Sequence, residues 1–140
     1  MIKVYPVFFK KNDTSYLVYI PDFNQFTEGG SFAEAFSMAR DAMGTYSLAV
    51  SREQLPAPSS YESALAITKE NADDEDFLFS DGVFSFVDID FDEYVKKLKN
   101  RSVRKNCTIP YELNEKAEGL GMNFSKILQE ALEEKIHQII

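Results

Sequence analysis

The sequence predicts an α+β protein of two modules, a β-β-β-α-β-α layer over residues 1–95 and a short strand with two helices over residues 102–140, joined by a basic linker at 96–101. Three observations lead there. Hydrophobic residues at 44% and aromatics at 14% are ample for one packed core, which excludes a disordered chain. Charge is divided unevenly: residues 1–95 hold 17 acids and 6 bases, a net of −11, whereas residues 96–140 hold 6 acids and 9 bases, a net of +3. The formal −8 of the whole chain therefore averages two parts suited to different partners. The apolar pattern also changes at Ser102, after which the apolar faces exceed what so short a segment can bury by itself.

Lys3–Lys10 (KVYPVFFK) is rich in β-branched and aromatic residues, and Lys11-Asn12-Asp13-Thr14 has turn chemistry before a second strand at Ser15–Ile20. Pro6 asks for an edge or a bulge in the first strand. A third strand at Gln25–Thr27 ends at Gly29-Gly30. Ser31 and Glu34 have capping-box spacing, and Phe32, Ala35, Phe36, Ala39, Met43, Tyr46 and Val50 then recur at helical intervals, as a stripe that packs on a sheet does. Pro56 and Pro58 forbid the helix to continue, so Ser51–Ser60 is expected as an extended surface connection. Tyr61–Ile67 is ambiguous, Asn71–Asp76 reads as an acidic loop, and Phe77–Phe79 as a short strand. Val83–Ile89 is apolar on both faces, which predicts a central strand, and Phe91–Leu98 a short helix.

In the last module Val103, Lys105, Cys107 and Ile109 alternate with Arg104, Asn106 and Thr108, the period of a strand. Pro110 stops it and starts a helix that ends at Gly121. Asn123 caps a second helix carrying Ile127, Leu128, Ala131, Leu132 and Ile136. Cys107, Ile109, Leu113, Ala117, Leu120, Ile127, Leu128 and Leu132 need a second chain to cover them, and a homodimer core is the expectation.

The start of the chain has no basic, apolar and small-residue sequence of a signal peptide, and no apolar run is long enough to span a membrane. A cytoplasmic location is expected, with which the single cysteine agrees. Cys107 and His137 are the only thiol and imidazole, too few for a soft-metal site, so neither metal nor cofactor is expected.

The stretch Arg104-Lys105-Asn106-Cys107-Thr108-Ile109-Pro110, then a helix, then Gly121-Met122-Asn123-Phe124-Ser125, resembles the ribbon-helix-helix DNA-binding fold, in which two chains pair strands into a ribbon that enters the major groove. The resemblance implies base contacts from Arg104, Asn106 and Thr108, which strand alternation independently puts on one face. Arg suits guanine, Asn suits adenine, and Thr offers a hydroxyl and a methyl. It also implies phosphate contacts at Asn123, Phe124 and Ser125, where the second helix begins, joined by Lys99, Arg101 and Lys105. Lys105 stands where the family usually has an apolar residue, with a stem long enough to reach a phosphate.

The opening hairpin, Tyr19-Ile20-Pro21-Asp22, the run Glu28-Gly29-Gly30-Ser31-Phe32-Ala33-Glu34-Ala35 and Leu55-Pro56-Ala57-Pro58-Ser59 together resemble the HicB antitoxin domain. That resemblance implies a truncated ribonuclease-H-like layout and a partner toxin of the HicA type, a small basic messenger ribonuclease. The chain would then be the antitoxin of a type II pair, occluding its toxin and repressing its own operon through operator DNA. The acidity of residues 1–95 suits a basic partner. Two other classes compete. A nuclease would gather carboxylates for metal, with Asp22, Asp88 and Asp90 the only candidates near strand ends, but loops and strand ends favour Asp anyway and no enzyme is expected. A ribbon-helix-helix repressor whose first domain senses a small ligand is the alternative reading.

Overall fold

In the computed structural model, which describes residues 1–140, four strands form one sheet in the order β3-β2-β1-β4, every neighbouring pair antiparallel. They are β1 (Ile2–Lys11), β2 (Tyr16–Ile20), β3 (Gln25–Gly29) and β4 (Val83–Asp90). The β1–β2 turn forms because the Asn12 side-chain oxygen accepts from the amides of Thr14 at 3.0 Å and Ser15 at 2.7 Å. Pro6 belongs to an interior strand, yet the β1–β2 ladder begins only at Phe8, so at Pro6 the chain pairs with β4 alone. Over that stretch β1 is locally an edge, which gives the proline the freedom it needs although the strand as a whole is interior.

Helix α1 (Phe32–Leu48) begins at Ser31, whose hydroxyl accepts from the Glu34 amide at 3.1 Å. It lays Ala35, Ala39 and Met43 on one sheet face, against Tyr5, Val7 and Phe9 of β1, Val18 and Ile20 of β2, and Val87 and Ile89 of β4. A Cβ on Gly29 would sit 2.5 Å from the Ala35 nitrogen, so glycine is what lets β3 end against the first turn of α1.

Four expectations are corrected. Tyr61–Asn71 is a helix, α2, so the order is β-β-β-α-α-β-α; it covers the second sheet face, where Phe8 and Tyr19 are buried with Ala64 and Phe79. Phe77–Phe79 is no strand: Asp74 accepts from the amides of Asp76 and Phe77, and Phe79 starts a 3-10 turn that puts its ring under α2. Ser51–Ser60 is more than a surface strand of chain, since it contains a 3-10 turn at Arg52–Gln54, buries Leu55, accepts the Tyr5 hydroxyl at Pro56 (2.7 Å), and gives the Ser59 amide to Asp22 (2.9 Å). Finally, β4 is an edge strand; its apolar faces answer to α1 on one side and to the Tyr61 and Phe8 rings on the other, not to flanking strands.

The chain divides into two units, Met1–Arg101 and Ser102–Ile140. The first ends with α3 (Phe91–Lys99), capped by the Asp90 carboxylate. Lys96, Lys97 and Lys99 therefore lie in the last turn of a helix, where cations complement its dipole, and residues 96–99 are not a linker. In the second unit, α4 (Tyr111–Gly119) closes with a Schellman motif: Gly121 takes φ +67°, its amide donates to Glu118, and the Met122 amide donates to Ala117. Helix α5 (Phe124–Ile139) follows. Residues 102–110 form no strand, because a strand exists through its ladder and the single chain offers this segment no partner.

Candidate functional site

Within the second unit only Ala117 is buried. Short α4, the glycine turn and α5 form a helical corner whose inner wall has nothing on it. Cys107, Ile109, Leu113, Ala117, Met122, Phe124, Ile127, Leu128 and Ala131 line an apolar groove of about 350 Å³ there. Leu113 is 55% exposed and Leu132 52%, values that an apolar core residue has only when its covering is missing.

Of the residues expected to pair with a second chain, six come together on this groove: Cys107, Ile109, Leu113, Ala117, Ile127 and Leu128. Leu132 lines a neighbouring hollow with Val103, Arg104, Lys105 and Ser125. Leu120, the C-cap of α4 and 73% exposed, is not on either wall. Met122 was not foreseen as part of this surface. Its place follows from the Schellman turn, which folds the residue after Gly121 back onto Ala117.

The alternation persists over residues 105–109 without a ladder, while Arg104 shares a hollow with its neighbours Val103 and Lys105. Lys105, Cys107 and Ile109 line a hollow with Asn114, Phe124, Ser125 and Leu128, while Asn106 and Thr108 are exposed and absent from that wall. Arg104 is exposed beside Lys105. At the start of α5 the Asn123 side chain accepts from the Lys126 amide at 3.1 Å, and its carbonyl from the Ile127 amide. The amides of Phe124 and Ser125 are the first two of the helix, at its positive end, and an anion is the partner such a terminus suits. The Ser125 side chain and Lys105 line the same hollow. His137 lies in the last turn of α5 and Cys107 is a free, exposed thiol.

Because the first unit runs to Arg101, the charges fall differently from the expected division. Residues 1–101 carry 17 acids and 10 bases, a net of −7, and residues 102–140 carry 6 acids and 5 bases, a net of −1. The cations form one acid-free run instead, with Lys96, Lys97, Lys99 and Arg101 closing the first unit and Arg104 and Lys105 opening the second.

The three carboxylates of the nuclease reading are each engaged separately. Asp22 accepts from Ser59, Asp90 caps α3, and Asp88 is paired with Arg40 at 2.8 Å, whose hydrogen bond holds its carboxyl below the usual range. Asp92, engaged by the amino terminus and Arg52, is likewise lowered, first by the bond from the amino terminus. No group of three or more His, Cys, Asp or Glu is placed to hold a metal ion, and no helix is long and apolar enough to cross a membrane.

A family model described as HicB_like antitoxin of bacterial toxin-antitoxin system matches residues 5–131. Among solved structures, a chain of a toxin-antitoxin complex from Streptococcus pneumoniae is 30% identical, with 96% of this chain and 99% of that one aligned at a TM-score of 0.54. The antitoxin HicB of Burkholderia pseudomallei aligns over 96% of this chain and 97% of its own at 19% identity and a TM-score of 0.43. No curated protein matches.

Proposed function

The chain belongs to the HicB_like antitoxin family of bacterial toxin-antitoxin systems, and from that premise we propose that its first unit occludes a HicA-type messenger-cleaving toxin while its second pairs with another copy as a ribbon-helix-helix and represses its own operon. The observation that carries this reading is the uncovered groove of the second unit. An apolar wall that size is costly in water, and a second copy covers it while supplying residues 102–110 with the strand partner they lack. Pairing Cys107 and Ile109 onto the helices leaves Arg104, Asn106 and Thr108 to face the major groove, and the amides of Phe124 and Ser125, with Lys99, Arg101 and Lys105, to hold phosphates.

A toxin partner is supported by the 30% identical chain, which was solved as a toxin-antitoxin complex. The first unit acts by binding and not by catalysis: its β-β-β-α opening accords with the truncated ribonuclease-H-like layout that the resemblance implies, and Asp22, Asp88 and Asp90 serve structural bonds. Both activities belong to the cytoplasm, where messenger and operator are found.

Co-expression with the product of the adjacent reading frame tests this. The chain relieves the growth arrest which that product causes, copurifies with it, and shifts a fragment of their shared promoter. Persistent arrest, or magnesium-dependent RNA cleavage by the chain alone that Asp88→Asn abolishes, overturns the reading.

A further inference from the structure

We propose that the toxin docks on the open edge of β4 and on the sheet face beside it that carries Ile2, Val4 and Phe86. This rests on the antitoxin reading and gives its first unit a place of contact.

Strand β4 pairs with β1 and with nothing on its other side. Arg40 Nε donates to the Asp88 carbonyl at 2.9 Å from outside the ladder, so the peptide groups of Asp88 point away from β1. By antiparallel alternation those of Phe84 and Phe86 do the same; the Phe86 carbonyl accepts the exposed Ser85 hydroxyl at 3.2 Å, a bond a partner strand can replace, and the edge is otherwise open to a strand or side chains of a partner. The register sets Ile2 opposite Asp90, Val4 opposite Asp88 and Pro6 opposite Phe86, all on the face turned away from α1. Helix α2 and Phe79 cover the middle of that face but leave Ile2 67%, Val4 45% and Phe86 52% exposed. Phe86 does not dangle: its ring lies 5.0 Å from Phe84, which is 4.7 Å from Tyr61, so it is a rigid aromatic anchor of the kind that dominates interfaces.

Charge decides the occupant. Asp88, paired with Arg40, and Asp90, paired with the amino terminus, flank the apolar strip on the strands, and no Lys or Arg occupies this face on β4 or on β1 up to Phe8. Arg40 reaches the edge from α1 but is taken by Asp88. An apolar strip on a unit of net −7 suits a basic protein, whereas a second copy would bring two units of like charge against one another.

The test uses the full chain and the adjacent-frame toxin in a titration, with Phe86→Glu and Val4→Glu against Leu48→Glu, a substitution at an equally exposed apolar residue on α1 (53%). Phe86→Glu weakens toxin binding by roughly thirtyfold or more, as loss of an aromatic anchor does, and Leu48→Glu leaves it unchanged. Because Phe86, Val4 and Leu48 lie in the first unit, a thermal midpoint and near-ultraviolet circular dichroism of its aromatic core kept at the wild-type level show that this unit still folds, and the milder Phe86→Ala replaces any variant that does not. Wild-type affinity in both the Phe86 and Val4 variants overturns the docking surface. A lower mass for Phe86→Glu without toxin assigns the face to a second copy and overturns it too. A wild-type chain that fails to bind the toxin overturns the antitoxin reading beneath.

Discussion

Tyr5 shows how a single side chain ties the first unit together. Its ring is fully buried between Phe23 and Phe91, and its hydroxyl donates to the Pro56 carbonyl at 2.7 Å, fastening the connection after α1 to the central strand. Burial, with the Asp22 charge adding to it, pushes its pKa up to about 12 from an ordinary 10.0. A raised pKa means that the unfolded chain loses this proton first, so the stabilisation is whole below pH 10 and is lost as the pH rises towards 12. The loss is on the order of 2 kcal/mol. Thermal melts across that range should fall more steeply for the wild type than for Tyr5→Phe, which at pH 7 costs about 1 kcal/mol for the missing hydrogen bond. Residues 104–109 give the second prediction at this scale. In a gel-shift, Arg104→Ala or Asn106→Ala costs about 1 to 3 kcal/mol and relaxes base preference, whereas Lys99→Ala weakens all sequences alike and flattens the salt slope; unchanged affinity in Arg104→Ala removes the assignment. The grouping of Lys105, Cys107 and Ile109 was legible because alternation depends on period alone. Met122 was not, since its position comes from the left-handed φ of Gly121 two elements away from any strand pattern.

Elements announced by local chemistry were read correctly, and those defined by distant neighbours were not. Ser31 carries its cap and Asn12 its turn within three residues, so α1 and the β1–β2 hairpin were visible in the sequence. The run VFSFVDI is apolar on both faces whether strands flank it or helices cover it, and the sequence alone cannot distinguish a central strand from an edge under α1 and α2. Tyr61–Asn71 was ambiguous for a related reason: only Ala64 and Thr68 are buried, a seam too narrow to stand out as a stripe. Asn123 offers a test of local reading in the second unit. Its side chain satisfies the Lys126 amide, and Asn123→Ala should cost about 1 kcal/mol of stability in urea melts followed by helical circular dichroism. Asn123→Ser, which keeps an acceptor, should recover most of it. Equal midpoints for all three chains would mean that α5 is held by its packing and not by its cap.

At the scale of the whole molecule, the two units differ in what they bury. The first has two complete core clusters, one on each face of its sheet, while the second has one buried alanine and a groove. That contrast was legible in the sequence, since a strand and two helices in 39 residues hold more apolar surface than they can hide. The division of charge was misplaced, because the boundary depends on how far α3 extends and its lysines resemble a linker in the sequence. Folding and function should therefore separate. Leu128 lines all three hollows of the second unit, so Leu128→Glu sets a carboxylate at the centre of the surface proposed to pair. A buried, unpaired charge there costs several kcal/mol, more than one such interface can absorb. Sedimentation equilibrium should show a dimer for the wild type and a monomer for Leu128→Glu, and operator binding should vanish with the dimer, since the proposed ribbon takes one strand from each of two chains. Toxin binding should persist, because Phe86 and Val4 lie in the other unit. A Leu128→Glu chain that remains dimeric would move the pairing surface off this groove and, with it, the placement of Arg104, Asn106 and Thr108 against DNA.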